Sequence, residues 1–123
     1  MLLSANPSCK RYRAYYPNIT PVIYAYSTNG GVAGAPGVAG KYNVVTVLGN
    51  NFYPNDVTKL DFIGPNKVYS NIEYIYYTNR KISFIVPSEA FQGNYEFQIK
   101  NVNYRLLIPD YLYSDKVPYT LTH

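Results

Sequence analysis

Between Asn94 and Lys100 the side chains change character at every step: Tyr95, Phe97 and Ile99 are apolar, while Asn94, Glu96, Gln98 and Lys100 are polar. A period of two is that of a strand with one face in a core and one in water, and a helix cannot present it. Such a strand cannot stand alone. It needs neighbours at its edges and a second layer over its apolar face, so these residues commit the chain to a layered β architecture.

The rest of the sequence is punctuated to match. Val22 to Tyr26 is a short apolar run between Pro21 and Ser27-Thr28-Asn29-Gly30-Gly31, which predicts a first strand. Five Gly and one Pro between Gly30 and Gly40 predict a loop, mobile or wrapped tightly. Tyr42 to Leu48 predicts a buried strand, with Val45 and Val47 on one face and Val44, Thr46 and Leu48 on the other. Leu60 to Ile63 is a shorter strand closed by Gly64-Pro65-Asn66. Ile72 to Thr78 and Lys81 to Val86 are separated only by Asn79-Arg80, the spacing of a tight hairpin. Tyr104 to Ile108, with Tyr111 to Tyr113, supplies a last strand, which Pro109 makes an edge or bent one. About seven antiparallel strands in two sheets follow, an all-β sandwich. Composition agrees: aromatic residues reach 17% of the 123, with 16 Tyr, against 15% charged residues, and no stretch has the content of a good helix. The expected organisation is an N-terminal arm over 1–20, the sandwich over 21–113 and a C-terminal tail over 114–123.

Several of these pieces stand in an order that resembles the IPT/TIG family of immunoglobulin-like domains. They are Pro21-Val22-Ile23, Val45-Thr46-Val47-Leu48-Gly49-Asn50-Asn51-Phe52, Leu60-Asp61-Phe62-Ile63-Gly64, Ile82 to Pro87 and Gly93 to Ile99. The resemblance covers roughly residues 18 to 113 and is most specific from Val45 to Phe52. It implies an immunoglobulin-like β-sandwich in which Gly49 ends a strand, Phe52 plugs one end of the sandwich, Gly64 turns a corner and Pro87 closes an edge strand. It implies no single activity, because members of that family serve in receptors, transcription factors, carbohydrate-active enzymes and viral or extracellular assemblies.

Catalysis finds little to work with. The one histidine is His123 and the one cysteine is Cys9, so neither a Ser-His or Cys-His pair nor a zinc site has its residues. The seven carboxylates are scattered; Asp56 and Asp61 lie near a turn but lack the further oxygens that calcium needs. No enzyme and no cofactor are expected. A lone cysteine also forbids an internal disulfide, Met1-Leu2-Leu3 opens no signal-peptide run, and no segment is apolar enough to insert in a membrane. This points to a reducing compartment, in which the sequon Asn18-Ile19-Thr20 would go unused.

Binding is therefore the expected role; the Gly-rich loop from Gly30 to Gly40 is one candidate region, and two groups of residues are the others. The first is the basic arm, Lys10, Arg11, Tyr12 and Arg13 with Tyr15 and Tyr16. It suits an acidic protein neighbour; nucleic acid ranks lower, because the net charge is only +4 and no basic stripe follows. The second is the pair of strands carrying Tyr74, Tyr76, Tyr77 and Ile85, where both faces are apolar or aromatic although an isolated sandwich needs one. Tyr supplies contact area at low entropic cost. The leading expectation is a non-enzymatic structural or interaction protein that packs against protein neighbours in a larger assembly, self-association included. Its most concrete form is a minor capsid or virion component of a large DNA virus, located in the virion or inside the cell. The 13 Asn, with abundant Tyr, Ile and Lys, give the usage of an AT-rich genome, which is compatible with that. The alternatives are a carbohydrate- or ligand-binding module of a surface protein, and a nucleic-acid-associated accessory domain.

Overall fold

A computed structural model of the chain describes residues 20–103 and 110–123, and among them there are ten strands and no helix. In chain order they are β1 (Val22–Thr28), β2 (Gly37–Val38), β3 (Val44–Asn50), β4 (Thr58–Ile63), β5 (Val68–Tyr69), β6 (Tyr74–Thr78), β7 (Lys81–Ile85), β8 (Gly93–Asn103), β9 (Asp110–Tyr113) and β10 (Val117–Thr122). They form two sheets, a four-stranded one in the order β1-β3-β7-β6 and a six-stranded one in the order β2-β10-β8-β4-β5, with β9 also paired to β8. The chain is an all-β two-sheet sandwich.

The alternation of 94–100 becomes β8, the longest strand, and its inward row runs on through the fully buried Phe97, Ile99 and Asn101. β4 pairs with it on one side, Leu60 opposite Ile99 and Phe62 opposite Phe97. On the other side β10 covers its first half and β9 its last residues. Val45 and Val47 of β3 and Ile82 and Phe84 of β7 close over these residues from the second sheet, giving one continuous core. The two inner faces thus remove each other's apolar side chains from water, which is the main source of stability in such a fold.

Phe52 is fully buried at the end of the sandwich, as the resemblance implied. Gly49 has a different reason from the expected turn. It sits inside β3, where a Cβ would strike the Val22 carbonyl and the Phe52 ring, and the turn itself is made by Asn51 at φ 63. Gly49 is there for close approach, Asn51 for the left-handed backbone that Asn tolerates.

The C-terminal segment departs from expectation. Residues 114–123 are not a tail, because Val117–Thr122 is β10, antiparallel to β8 from Val117 opposite Phe97 to Leu121 opposite Gly93. The physical reason lies in its own alternation: Tyr119 and Leu121 are buried and Val117 packs against the core, while Pro118 and Thr120 face out. Pro118 is tolerated because β2 pairs only with Leu121 and Thr122, so β10 is an edge at that point. His123 places its Nδ1 2.6 Å from Gln92 Oε1. The Gly-rich stretch is wrapped, and part of it is β2, parallel to β10. The two-residue hairpin at Asn79-Arg80 joins β6 and β7 as expected, with a bulge between Tyr76 and Thr78. The strand expected over Tyr104 to Ile108 lies outside the described residues; Tyr111–Tyr113 belongs to β9. Among the described residues no helix is long and apolar enough to cross a membrane.

Candidate interaction surface

Strand alternation fixes what each sheet shows to the outside. With Val45, Val47, Ile82 and Phe84 pointing in, the register of the four-stranded sheet turns Val44 and Ile85 out as a pair, then Thr46 and Ser83, then Leu48 and Lys81. Ile75 of β6 joins the middle row opposite Ser83. Tyr42, just before β3, stands beside them. Of these, Tyr42, Leu48, Ile75 and Ile85 are well exposed, Ile75 at 55% and Ile85 at 46%. A groove of about 530 Å³ runs between Tyr42, Val44, Ile75, Ile85 and Pro87, and Glu73 borders it. At the opposite end of the face, Tyr24, Leu48 and Arg80 border a smaller cleft. The two hydroxyls in the middle bond to each other, Thr46 Oγ1 to Ser83 Oγ at 3.0 Å.

The six-stranded sheet is more polar outside. Its outward positions hold Lys59 and Asp61 on β4, Asn94, Glu96, Gln98 and Lys100 on β8 and Thr120 on β10, with Tyr111 and Tyr113 of β9 along one margin, Lys100 Nζ lying over the Tyr111 ring. Asp61 is fully engaged, its Oδ2 taking Lys100 Nζ at 3.0 Å and its Oδ1 the Asn71 N–H at 2.9 Å. That is an ion pair within the sheet, and among the described residues no group of three or more His, Cys, Asp or Glu converges.

The residues singled out from the sequence are thus sorted. Lys10, Arg11, Tyr12, Arg13, Tyr15 and Tyr16 lie outside the described residues. Tyr74 is removed from the surface group: it pairs with Phe84, its ring packs on the core, and its hydroxyl donates to the Tyr53 and Thr58 carbonyls, each at 2.8 Å. Burial pushes this phenol well above its ordinary range. Tyr76 pairs with the buried Ile82 and is half-exposed at the sheet edge, on the inner side. Tyr77, at the bulge, lies under Lys81 Nζ at 5.1 Å from its ring centroid. Only Tyr77 and Ile85 of the four stand on the outer face. Tyr24, Tyr42, Leu48 and Ile75 were not picked out, although the placing of Val44, Thr46 and Leu48 on a second face of their strand carried the signal.

A second concavity of about 260 Å³ lies between Gly64, Lys67, Tyr69, Phe91 and Tyr95 at one end of the sandwich. Two of its three rings are already used, while Phe91 is 83% exposed. Tyr95 stacks on Phe62 with centroids 4.8 Å apart and has Gly64 against its edge, and Lys67 Nζ sits 4.7 Å over Tyr69.

No family model, curated protein or solved structure matches this chain.

Proposed function

We propose that this chain is a non-enzymatic interaction module of the IPT/TIG immunoglobulin-like kind, which packs against neighbouring proteins through the outer face of its four-stranded sheet. The observation that carries this reading is the contrast between the two outer faces. One sheet turns mainly charges and amides outward, with Tyr111 and Tyr113 along one margin; the other turns out Tyr42, Val44, Ile75 and Ile85 around a groove, with Leu48 at its far end. Burying such a patch against a partner gains roughly 25 cal/mol for each Å² removed from water, and a contiguous apolar patch of this kind marks a contact surface. A minor virion component of a large DNA virus is the setting we favour, since a module with one polar and one apolar face suits an assembly in which one side is covered. A carbohydrate site is the second reading: at the sandwich end Tyr95 and Tyr69 are engaged by Phe62 and Lys67, which leaves Phe91 as the one open ring of that concavity.

Site-specific photocrosslinking in the native setting tests the reading. A benzophenone side chain at position 85 is expected to capture a protein neighbour, and the same group at position 98, on the polar face, is not. Equal capture at both positions, or none at position 85, would sink it.

A further inference from the structure

The outer face of the four-stranded sheet carries opposite charges at its two ends. Glu73 precedes β6 and borders the groove beside Tyr42, Ile85 and Pro87. Arg80 and Lys81 lie at the other end, at the β6–β7 turn, Arg80 beside Tyr24 and Leu48. Glu73 and the Arg80–Lys81 turn stand at opposite ends of the β6–β7 hairpin, on the same half of the sheet, with Arg80 leaning toward Leu48. Between them the surface is Ile75, Ile85, Val44 and Leu48, crossed at mid-height by the row Thr46, Ser83 and Ile75.

We infer that the partner seated on this face is a second copy of this chain, packed sheet against sheet about a twofold axis that runs across the strands over the Thr46–Ser83 row. This rests on the reading of the same face as a protein contact. An axis in that direction reverses the strands and leaves the two side edges in place, so Glu73 of each copy comes over Arg80 and Lys81 of the other. A twofold contact must be self-complementary, and a face that is acid at one end and basic at the other meets that condition, whereas a partner of single sign would meet repulsion at one end. The middle also suits burial: Ser83 is only 3% exposed and its hydroxyl bonds to that of Thr46, while Ser27, the next residue of the row, has the corresponding position of the second copy's row opposite it as a hydroxyl partner. Inner and outer faces would then both be packed, the ordinary condition of stacked sheets about 10 Å apart. Four strands about 4.8 Å apart and ~20 Å long make a small footprint, so the association is reversible and weak rather than permanent.

Sedimentation velocity of the full chain between about 10 µM and about 1 mM tests this, a range that brackets weak association. The expected result is a monomer passing reversibly to a dimer. Ile85→Lys and Ile75→Glu hold the chain monomeric with unchanged circular dichroism, since both side chains are exposed. Glu73→Lys weakens the dimer by about tenfold or more, and adding Arg80→Glu and Lys81→Glu to it restores association. A monomer at every concentration, or a dimer indifferent to Ile85→Lys, overturns the inference. So does a position-85 crosslink to residues 1–19 of the same molecule. A monomer whose position 85 captures a different protein overturns the self-pairing and leaves the contact surface standing; a monomer with no capture at position 85 removes both.

Discussion

The hydroxyl of Tyr119 lies 3.0 Å from Thr28 Oγ1, joining the last strand to the end of the first across 91 residues of sequence. Thr28 Oγ1 donates its own hydrogen to the Ala35 carbonyl at 2.7 Å, so the tyrosine is the donor to Thr28. A chain of two hydrogen bonds thus fastens the Gly-rich loop over a buried phenol. Gly37 lies directly against it: a Cβ there would stand 2.5 Å from the Tyr119 hydroxyl and 3.0 Å from the Asn43 side chain.

Replacing Gly37 by Ala therefore forces a methyl group into the buried hydroxyl, at an expected cost of about 2–3 kcal/mol. Tyr119→Phe alone loses the hydrogen bond, about 1–2 kcal/mol. Together they should cost less than their sum by roughly 1 kcal/mol, because the phenylalanine leaves space where the new methyl sits. Urea unfolding of the four proteins measures the coupling. Strict additivity would show that the loop does not rest on Tyr119.

The buried tyrosines set a limit on stability at high pH. Desolvation raises the Tyr74 and Tyr119 phenols above their ordinary value near 10 in the folded chain. Below about pH 10 both states hold the proton and the stabilisation is complete; above it the unfolded chain ionises while the folded one resists, so stability falls as pH rises. The urea midpoint should be level from about pH 7 to 9.5 and drop beyond about pH 10, with a shallower drop in Tyr74→Phe. A midpoint that rises, or a slope that Tyr74→Phe leaves unchanged, contradicts this.

Much of this architecture was legible in advance because period-two alternation reports directly on burial. Tyr95, Phe97 and Ile99 point to the core as that period requires, and Asn79-Arg80 turns a hairpin because only two residues separate its strands. The tail was misread for a physical reason: in Val117 to Thr122 a proline interrupts the pattern, and its tolerance depends on β2 leaving β10 exposed at that point, a long-range fact. Tyr74 was misplaced because sequence alone does not tell a half-buried tyrosine with satisfied hydroxyl from one offered to a partner. The polar and apolar outer faces were separately visible in Gln98 and in Leu48, but which strands share a sheet was not.

Asn101 tests the polar part of the core. It is fully buried, accepts from Thr58 Oγ1 at 2.6 Å and donates from Nδ2 to the Asn51 carbonyl at 2.8 Å. Thr58 Oγ1 in turn accepts the Tyr53 N–H at 2.7 Å, so one amide organises the loop that carries Phe52. Asn101→Leu keeps the branching of the side chain, adds bulk and strands the Asn51 carbonyl, with an expected loss of about 2–4 kcal/mol in chemical unfolding. A loss under about 0.5 kcal/mol would mean that the loop holds its place without that amide.

The last strand supplies the sharpest test of where this domain ends. Leu121 is buried among the core residues, and Leu121→Ala should cost about 2–4 kcal/mol, the usual price of such a cavity. Ending the chain at Lys116 is more severe. It removes Tyr119 and Leu121 together, uncovers Phe97 and leaves Gly93 to Phe97 of β8 unpaired on the β10 side. Losing two large core side chains approaches the whole stability of a domain this size, so the truncated chain should lack cooperative unfolding and near-ultraviolet dichroism. A truncated protein with a native-like thermal transition would return 117–123 to the status of a tail.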